Sequence, residues 1–551
     1  MPREIKLAGP TIVAAALAAA YVIVSPPSLD LAAALFRAWL FHREPWGIWN
    51  NFWYSGHSTP GYSVLFPAVS AALTPQLAGG LAAALTAAPF TALAWRHRGP
   101  AALAGSLLFG VFTAVDLFTG RLPFAFGLLP ATAAVLALDL RWWPLGCLLA
   151  TVSALCSPVA ALFAAIVALG YAVGGVLDSG FGGKGRRPRP YRPNRPWLDG
   201  RGRQASGALG AAAPGVAVAA GALLPILVLA VAFPEGGTEP FELGTLLPVL
   251  AVAVVGFALT ERTDTTLRAC LLVYALALIL SYLIPSAIGS NVARMGTLLA
   301  APVATVVFWE RRPRLLAAAI VPLLYIGIQA PVQNVVVSSG QPTTSVAFYR
   351  PLLRFLQSRG GTPFRIEIPF TALHWEAYRV ATRVPIARGW ERQLDIRDNP
   401  IFYRRGALTA ASYRTWLNAN AVRFVALPDT KLDRSAQGEA AVIHARPAFL
   451  RPVAHVGAWR VYAVRDPTPI AQGAAQLTAL GPDWLTLRAR RAGRVLVHVR
   501  FSPYWALVDG TGCVEPAGPD TRLVLRRPGV ARLAIRFSLG RIGAHSARCT
   551  R

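Results

Sequence analysis

The sequence predicts a polytopic α-helical membrane protein whose C-terminal half is water-soluble and consists of an α/β domain followed by a β-sandwich. Hydrophobic residues make up 54% of the 551-residue chain, and the mean hydropathy is +0.45. Soluble domains contain about 45–50% apolar residues. The excess is confined to residues 7–331, which are rich in Ala, Leu, Val and Gly, whereas residues 340–551 have a mixed composition. The predicted membrane domain therefore covers residues 1–335.

The apolar part divides into about eleven candidate helices. A helix that spans a membrane needs roughly 20 residues, and the length of each candidate is compared with that value. The candidates are 7–25, 77–95, 100–117, 122–139, 143–157, 158–177, 208–233, 242–260, 267–285, 295–309 and 314–331. The pair 143–157 and 158–177 is short, so the count holds to within one. The segment 61–74 is too short to span and is predicted to be a half-buried or re-entrant helix.

Basic residues alternate with the predicted helices, and this alternation predicts the orientation. They are Arg3 with Lys6, Arg96 with Arg98, Arg141, the linker 178–207, Arg262 with Arg268, and the cluster 311–314. Such clusters mark the cytoplasmic side. The N-terminus is therefore expected in the cytoplasm. The loop 25–60, the turn after Asp116 and the C-terminal half are expected outside, in a multi-pass protein of the plasma membrane.

The linker 178–207 is rich in Gly, Pro and Arg and is predicted to be disordered, with some attraction to anionic membrane lipids. The net charge of +28 would suit nucleic acid, but the chain contains no nucleic-acid-binding motif, and we expect no such partner. It also lacks a P-loop, a Rossmann glycine turn in context, a His-Glu-x-x-His motif and a nucleophile elbow. The sequence thus gives no support for ATP use, nicotinamide chemistry or serine hydrolysis.

The soluble half shows two patterns. Residues 340–467 alternate predicted helices, at 348–358 and 411–420, with predicted strands, at 364–368, 422–427 and 459–464. Residues 470–551 contain short, regularly spaced strands, which are typical of a β-sandwich. Cys513 and Cys549 lie in this last domain, and the sequence leaves open whether they form a disulfide or remain free thiols. Cys147, Cys156 and Cys270 lie in apolar segments and are predicted to be core residues.

Two aspartates stand at the predicted outer surface of the membrane domain. Asp30 follows the first apolar segment, and Asp116 precedes Gly120 and Arg121 in a short turn. A carboxylate at the mouth of a membrane helix bundle is costly to place and is a functional hypothesis by default. The predicted topology puts both residues on the same face of the membrane.

Two local strings carry a resemblance to a known superfamily. Residues 30–37, followed by Trp53-Tyr54-Ser55-Gly56-His57 and Pro60-Gly61-Tyr62, look like the start of uncharacterised bacterial GT-C-type membrane proteins. Residues 501–510 are similar to the C-terminal β-domain of the YfhO-like membrane glycosyltransferases. The order of helix, outer loop with an early aspartate, re-entrant segment and second outer turn also resembles the GT-C superfamily. The resemblance implies transfer of sugar from a polyprenyl-phosphate donor to a cell-envelope glycan or lipid acceptor.

The resemblance also implies roles for individual residues. Asp30 corresponds to the catalytic base and Asp116 to a supporting acid. Each loop has one acid where many relatives have a pair, so a divalent cation is left open. Desolvation near a membrane raises the pKa of a carboxylate, which suits it to act as a base. Asp30 could equally be the N-cap of a helix. Arg121 and Arg294 are candidate ligands of the lipid phosphate, with pairing to Asp116 and snorkelling to the interface as alternatives.

Further candidates are less specific. Glu235, in a turn over the same face, could orient an acceptor or complete a cation site, or lie in a solvated turn. His57, Trp53 and Tyr54 could bind sugar or phosphate, or belong to an interfacial aromatic belt. A possible acceptor surface contains His374, Glu376, Arg388 and Glu391, for which buried ion-paired packing is the alternative. A membrane scaffold that binds glycan is the second functional hypothesis, and a transporter or flippase is the third.

Overall fold

The computed structural model describes residues 3–180 and 207–550, and the chain divides into two compact units. The first unit comprises Met1–Pro26, Tyr62–Val228 and Thr238–Val336. The second unit comprises Pro27–Gly61, Leu229–Gly237 and Val337–Arg551. Most of the predicted disordered linker, residues 181–206, lies outside the described residues.

The helices and strands of the described residues are numbered in chain order. The α-helices are α1 (Arg3–Val24), α2 (Leu31–Arg43), α3 (Phe66–Leu73), α4 (Pro75–Arg98), α5 (Leu103–Asp116), α6 (Leu122–Asp139), α7 (Trp143–Cys156), α8 (Pro158–Gly180), α9 (Ala208–Ala232), α10 (Leu243–Leu259), α11 (Thr265–Leu283), α12 (Ala293–Phe308), α13 (Pro313–Ser338), α14 (Val346–Gln357), α15 (Glu376–Arg379), α16 (Arg392–Asp398), α17 (Ala410–Ala419) and α18 (Gln437–His444). The strands are β1 (Trp49–Asn50), β2 (His57–Ser58), β3 (Arg365–Glu367), β4 (Val422–Pro428), β5 (Leu450–Val456), β6 (Trp459–Val464), β7 (Ala471–Gly473), β8 (Ala475–Leu480), β9 (Trp484–Ala489), β10 (Gly493–Arg500), β11 (Trp505–Asp509), β12 (Gly512–Ala517), β13 (Asp520–Leu525), β14 (Gly529–Ile535) and β15 (Arg548–Cys549).

Among the described residues, eleven apolar helices, α1 and α4 to α13, occur where the sequence predicts them. The described residues contain eight helical stretches that are long and apolar enough to cross a membrane. One of these, Pro75–Thr119, includes both α4 and α5, while α7 and α10 are apolar but shorter. The protein is therefore a polytopic membrane protein. The segment predicted as a re-entrant helix over 61–74 contains the eight-residue helix α3.

Small residues let the membrane helices approach one another closely. A Cβ atom added at Gly110 of α5 would lie 2.6 Å from the carbonyl oxygen of Pro10 in α1. One added at Gly170 of α8 would lie 2.4 Å from the Cys270 sulfur in α11. Such contacts are typical of helix packing in membranes, where van der Waals contact replaces the hydrophobic effect as the main attraction. They also explain why a cysteine, small and apolar, stands at position 270.

The α/β part of the second unit is built on a four-stranded sheet with the order β3-β4-β6-β5. Strand β3 is parallel to β4, and the other neighbours are antiparallel. The strand β4 is buried at every position except Arg423, as its mainly apolar run Val422–Leu427 predicts. Helix α17 begins with a capping box at Thr409 and Ser412, which satisfies the exposed N–H groups of its first turn.

The C-terminal residues form two antiparallel sheets, with the orders β15-β12-β13-β10-β7 and β11-β14-β9-β8. Alternate residues of both sheets point into one apolar core, for example Val495 and Leu523 from the first sheet and Leu487 and Leu533 from the second. Cys513 and Cys549 form a disulfide between β12 and β15. The structure therefore selects the bonded alternative for this pair, whereas Cys147, Cys156 and Cys270 are free.

The grouping of the loop 25–60 with the membrane helices needs correction. Residues Pro27–Gly61 belong to the second unit, where the backbone N–H of Asn51 donates to the Pro482 carbonyl at 2.7 Å. Leu229–Gly237 also belongs there, and the hydroxyl of Tyr504 donates to the Ala232 carbonyl at 2.7 Å. The C-terminal half is thus completed by two segments from earlier in the chain.

Candidate functional site

Asp30 stands at the N-cap position of α2, in the second unit. Its side chain forms no capping hydrogen bond to that helix, although capping is the structural role that its position suggests. Instead, its Oδ1 atom accepts a hydrogen bond from the indole N–H of Trp390 at 3.2 Å. The residue is only partly buried. The carboxylate is therefore held by a group from the C-terminal half while part of the residue remains exposed.

The indole that holds Asp30 is itself fixed by packing. The ring of Trp390 stacks on His374 with centroids 3.5 Å apart and planes at 7°. The Nε2 atom of His374 lies 3.4 Å from Asp433 Oδ2, and Arg392 holds both oxygens of Asp433, at 3.1 and 2.8 Å. Burial lowers the pKa of His374 to about 4, so this ring is neutral at neutral pH. Trp390 therefore rests on a rigid, uncharged support.

Helix α2 makes a second polar contact with the same segment. Arg37 is seven residues after Asp30 and thus on the same helical face, and its guanidinium donates to Glu391, the neighbour of Trp390. Both side chains of this ion pair are nearly inaccessible. Burial raises the pKa of Glu391, and the Arg37 charge opposes that shift. The Asp30–Trp390 and Arg37–Glu391 contacts together dock α2 in the second unit.

His57, Trp53 and Tyr54 do not lie where a substrate could reach them, which corrects their predicted binding role. Each is at most 1% exposed. The Trp53 indole donates to the Ala377 carbonyl at 2.9 Å, and the Tyr54 hydroxyl donates to the Gly389 carbonyl at 2.6 Å. His57 contacts Asn50 Nδ2 at 3.0 Å and the Ser58 carbonyl at 2.9 Å. Burial lowers the pKa of His57 to about 3, so it serves as a neutral internal hydrogen-bonding group.

Glu235 lies in the short segment Leu229–Gly237 of the second unit and is also engaged in internal contacts. Its carboxylate accepts a hydrogen bond from the backbone N–H of Ser58 and pairs with Arg397 at 3.3 Å. Burial raises the pKa of Glu235, and the Ser58 hydrogen bond and the Arg397 charge act in the opposite direction. The solvated-turn alternative does not describe this residue, since it links two segments that are distant in sequence.

The predicted acceptor surface of His374, Glu376, Arg388 and Glu391 also needs correction, because all four side chains are buried. Glu376 accepts hydrogen bonds from the N–H and hydroxyl of Thr371, at 3.1 and 2.6 Å. Charged and aromatic residues predict a surface here, but Arg388 and Glu391 form interior ion pairs. His374 stacks on a ring, and Glu376 accepts hydrogen bonds. This is the buried-packing alternative that the sequence left open.

Arg388 is the centre of one such cluster. Its Nε and Nη2 atoms contact the two Asp395 oxygens at 3.0 and 2.6 Å, and its Nη1 atom contacts Glu439 at 3.2 Å. The guanidinium lies 3.9 Å from the ring centroids of both Phe370 and Phe402. A fully buried cation that is matched in this way stabilises the arrangement of its neighbours, and no part of it is available to a ligand.

Asp116, Arg121 and Arg294 belong to the first unit, whereas Asp30 belongs to the second. Asp116 is the last residue of α5, and Arg121 is the N-cap residue of α6. The guanidinium of Arg294, in the first turn of α12, lies 5.7 Å from the ring centroid of Phe124, three residues after Arg121. The starts of α6 and α12 are therefore adjacent, and both arginines stand at that end of the helices.

Sequence reasoning missed Trp390, Arg37 and Asp433 as parts of the site. Trp390 and Arg37 are visible in the sequence only as members of charged or aromatic strings. Asp433 carries no local signal, because its contacts to His374 and Arg392 join residues 59 and 41 positions away. Among the described residues, no group of three or more His, Cys, Asp or Glu side chains is arranged to hold a metal ion.

Comparison with known proteins gives no assignment, since no family model and no curated protein matches the chain.

Proposed function

We propose that this protein is a membrane glycosyltransferase that transfers a sugar from a polyprenyl-phosphate donor to a cell-envelope acceptor, with Asp30 as the general base. The observation that carries the proposal is the position, exposure and hydrogen bonding of Asp30. This carboxylate stands at a helix start, is partly exposed, and is oriented by the Trp390 indole instead of capping its helix. A base must be held in a fixed orientation and still be accessible to the proton that it removes.

The proposed reaction is a single displacement at the anomeric carbon. The Asp30 carboxylate takes the proton of the acceptor hydroxyl while the acceptor oxygen bonds to the anomeric carbon of the sugar. The bond between that carbon and the phosphate oxygen breaks, and polyprenyl phosphate leaves with the electron pair. The role of Arg121 and Arg294 as ligands of a donor phosphate stays a prediction from the sequence, since a guanidinium fork matches phosphate oxygens.

The test compares Asp30→Asn with Asp466→Asn in the purified full-length protein. Asn keeps the oxygen that accepts from Trp390, so the docking of α2 is preserved while the base is lost. Asp466 is exposed and has a φ of +49°, a conformation that Asn tolerates well. The protein is reconstituted in phosphatidylcholine vesicles with purified envelope glycan as the acceptor and a panel of polyprenyl-phosphate hexoses and pentoses radiolabelled in the lipid, and release of polyprenyl phosphate is measured.

We expect Asp30→Asn to lower the rate by about 10²–10⁴-fold, the usual contribution of a general base, and Asp466→Asn to leave it unchanged. Trp390→Phe, which removes the hydrogen bond but keeps an aromatic ring on His374, should lower the rate by about 10-fold or more, since a hydrogen bond to a charged group is worth about 1.5–3 kcal/mol. Equal rates for wild type and Asp30→Asn would rule out the proposed role of Asp30.

The second candidate function is a non-catalytic scaffold that binds envelope glycan. It is favoured by the burial of the other polar candidates in the second unit, since His57, His374, Glu376 and Arg388 are at most 1% exposed. A wild-type protein that releases no polyprenyl phosphate from any donor, yet sediments with purified envelope glycan as strongly as Asp30→Asn does, would support the scaffold.

A further inference from the structure

The first unit contains a large cavity among its membrane helices. Its volume is about 600 Å³, within the range of about 300–1,000 Å³ that is usual for ligand sites. It is lined by side chains from α4, α5, α6, α8 and α10 to α13. Most are apolar, for example Phe90, Leu128, Val167, Leu271 and Leu323. A wall of this composition suits hydrocarbon, because it offers little to a polar ligand.

The charged lining residues lie together at one end of this cavity. His97 and Arg98 end α4, and Asp264 caps the start of α11. From this end, the cavity follows α12 from Phe308 to Met295, a distance of roughly 20 Å at 1.5 Å per residue. That length exceeds half of a hydrocarbon core that is about 30 Å thick, so the cavity has the length and polarity gradient of a lipid chain below its headgroup.

The end with the charged residues has an excess of basic side chains. The helix ends and turns there contain more arginines than acids. The arginines are Arg96, Arg98, Arg141, Arg262, Arg268, Arg311, Arg312 and Arg314, and the acids are Asp139, Asp178, Glu261, Asp264 and Glu310. Arg98 lines the cavity and pairs with Asp264 at 2.7 Å, with 15% of its side chain exposed. A guanidinium has five N–H donors, so Arg98 can contact Asp264 and a phosphate together.

We infer that this cavity binds one acyl chain of an anionic glycerophospholipid, with the lipid phosphate at Arg98. The apolar wall selects a hydrocarbon chain, and the excess of arginine at the charged end selects a negative headgroup over a zwitterionic one. All residues of this site belong to the first unit, and the inference does not depend on the proposed glycosyl transfer.

The experiment uses the full-length protein in vesicles of phosphatidylcholine and phosphatidylglycerol at a ratio of four to one. The protein is then extracted in detergent, washed, and analysed by native mass spectrometry for retained phospholipid. Ala300→Phe with Ala304→Phe fills the cavity from one face of α12. Its matched control is Ala16→Phe with Ala20→Phe, two exposed positions with the same spacing on α1.

The headgroup is tested with a second pair of variants. Arg98→Gln removes the charge at the cavity end. Arg311→Gln removes an arginine that is also ion-paired, to Glu261 at 2.6 Å, but is absent from the cavity lining. This pair separates the effect of position from that of net charge.

We expect one retained phospholipid per chain, with phosphatidylglycerol bound about fivefold more tightly than phosphatidylcholine, the factor for one basic residue near a lipid headgroup. From the four-to-one vesicle, phosphatidylglycerol should then make up roughly half of the retained lipid, an enrichment over its share of the vesicle. The double variant on α12 should lose this lipid, and the one on α1 should keep it. Arg98→Gln should keep a lipid but lose the enrichment, whereas Arg311→Gln should keep both. Retention by the α12 variant, or equal enrichment in Arg98→Gln and wild type, would overturn the inference. Displacement of phosphatidylglycerol by equimolar polyprenyl phosphate would overturn the assignment to a glycerophospholipid.

Discussion

Replacing Arg388 with Met should destabilise the second unit by about 3–5 kcal/mol, the usual cost of breaking a buried ion pair by removing one partner. Met approximates the length of the aliphatic stem and keeps an apolar atom between Phe370 and Phe402. It removes the only cation within hydrogen-bonding distance of Asp395 and Glu439 in the described structure. The loss is therefore one of charge rather than of volume.

The magnitude follows from the burial and geometry of the cluster. The side chains of Arg388, Asp395 and Glu439 are all 0% exposed, so water cannot replace the lost cation. For a unit of this size, 1 kcal/mol corresponds to roughly 2–4 °C in melting temperature. The expected decrease is therefore about 6–20 °C.

The assay is the temperature at which protease first cleaves within residues 337–551 of the detergent-purified full-length protein, mapped by mass spectrometry. All variants are heated at one rate, since unfolding of such proteins is commonly irreversible. Arg522→Met is the control, because its pair with Glu515 is 40% and 31% exposed and should contribute less than about 1 kcal/mol. If Arg388→Met melts within about 2 °C of that control, the buried cluster does not hold the unit together.

Acid should reduce the effect of Arg388→Met. Burial raises the pKa of Glu439 to about 7 and that of Glu367 well above its ordinary value, and the Arg388 charge lowers both. A carboxyl group with a raised folded-state pKa stabilises the fold below its unfolded pKa, and this contribution is lost as the pH rises through the folded pKa. Without Arg388 both pKa values rise further. The difference in melting temperature between variant and wild type should therefore be smaller at pH 5 than at pH 8.

The remaining predictions concern one acid and the disulfide. Burial raises the pKa of Glu376 to about 7. The contribution of this group to the free energy of unfolding of wild type should therefore fall by up to about 3 kcal/mol as the pH rises from 4.5 to 7. Glu376→Gln should remove that part of the pH dependence of the melting temperature. Burial lowers the pKa of His374 to about 4, so in both proteins this group makes the fold less stable as the pH falls below 6.5. A pH profile of the melting temperature that Glu376→Gln leaves unchanged would contradict the raised pKa of Glu376. Cys549→Ser should lower stability by about 2–4 kcal/mol; dithiothreitol should destabilise wild type but not this variant, and equal sensitivity would contradict a stabilising Cys513–Cys549 bond.

The sequence predicts the secondary structure well because the signals are local. The segment predicted as a helix over 122–139 is α6, Leu122–Asp139, and the strand predicted at 459–464 is β6, Trp459–Val464. An apolar run of sufficient length defines a membrane helix without reference to the rest of the fold. A buried strand with a mainly apolar run, and a neighbouring strand in which apolar and polar residues alternate, can equally be recognised from the order of their residues.

The assembly of the second unit could not be predicted in this way, because its contacts are distant in sequence. The amide of Asn51 donates to the Gly481 carbonyl, 430 residues away, and neither residue has a distinctive local pattern. The string from Arg388 to Arg392 has the same composition whether it faces water or the interior. Its burial depends on Asp433 and Glu439, which neutralise its charges from other elements.

The docking of α2 links the stability of the second unit to the orientation of the proposed base. Trp390 donates a hydrogen bond to Asp30, and His374 and Arg392 pack against the Trp390 ring. Trp390 and Arg392 lie in the same segment as Arg388. Loss of Arg388 should therefore reduce any activity only in proportion to the fraction of unfolded protein, since it leaves the Asp30 carboxylate chemically intact. Loss of the Asp30 charge should act on the rate at constant stability. A comparison of Arg388→Met with Asp30→Asn, which separates the loss of folded protein from the loss of rate, shows whether the second unit orients a catalytic group or only holds its own fold.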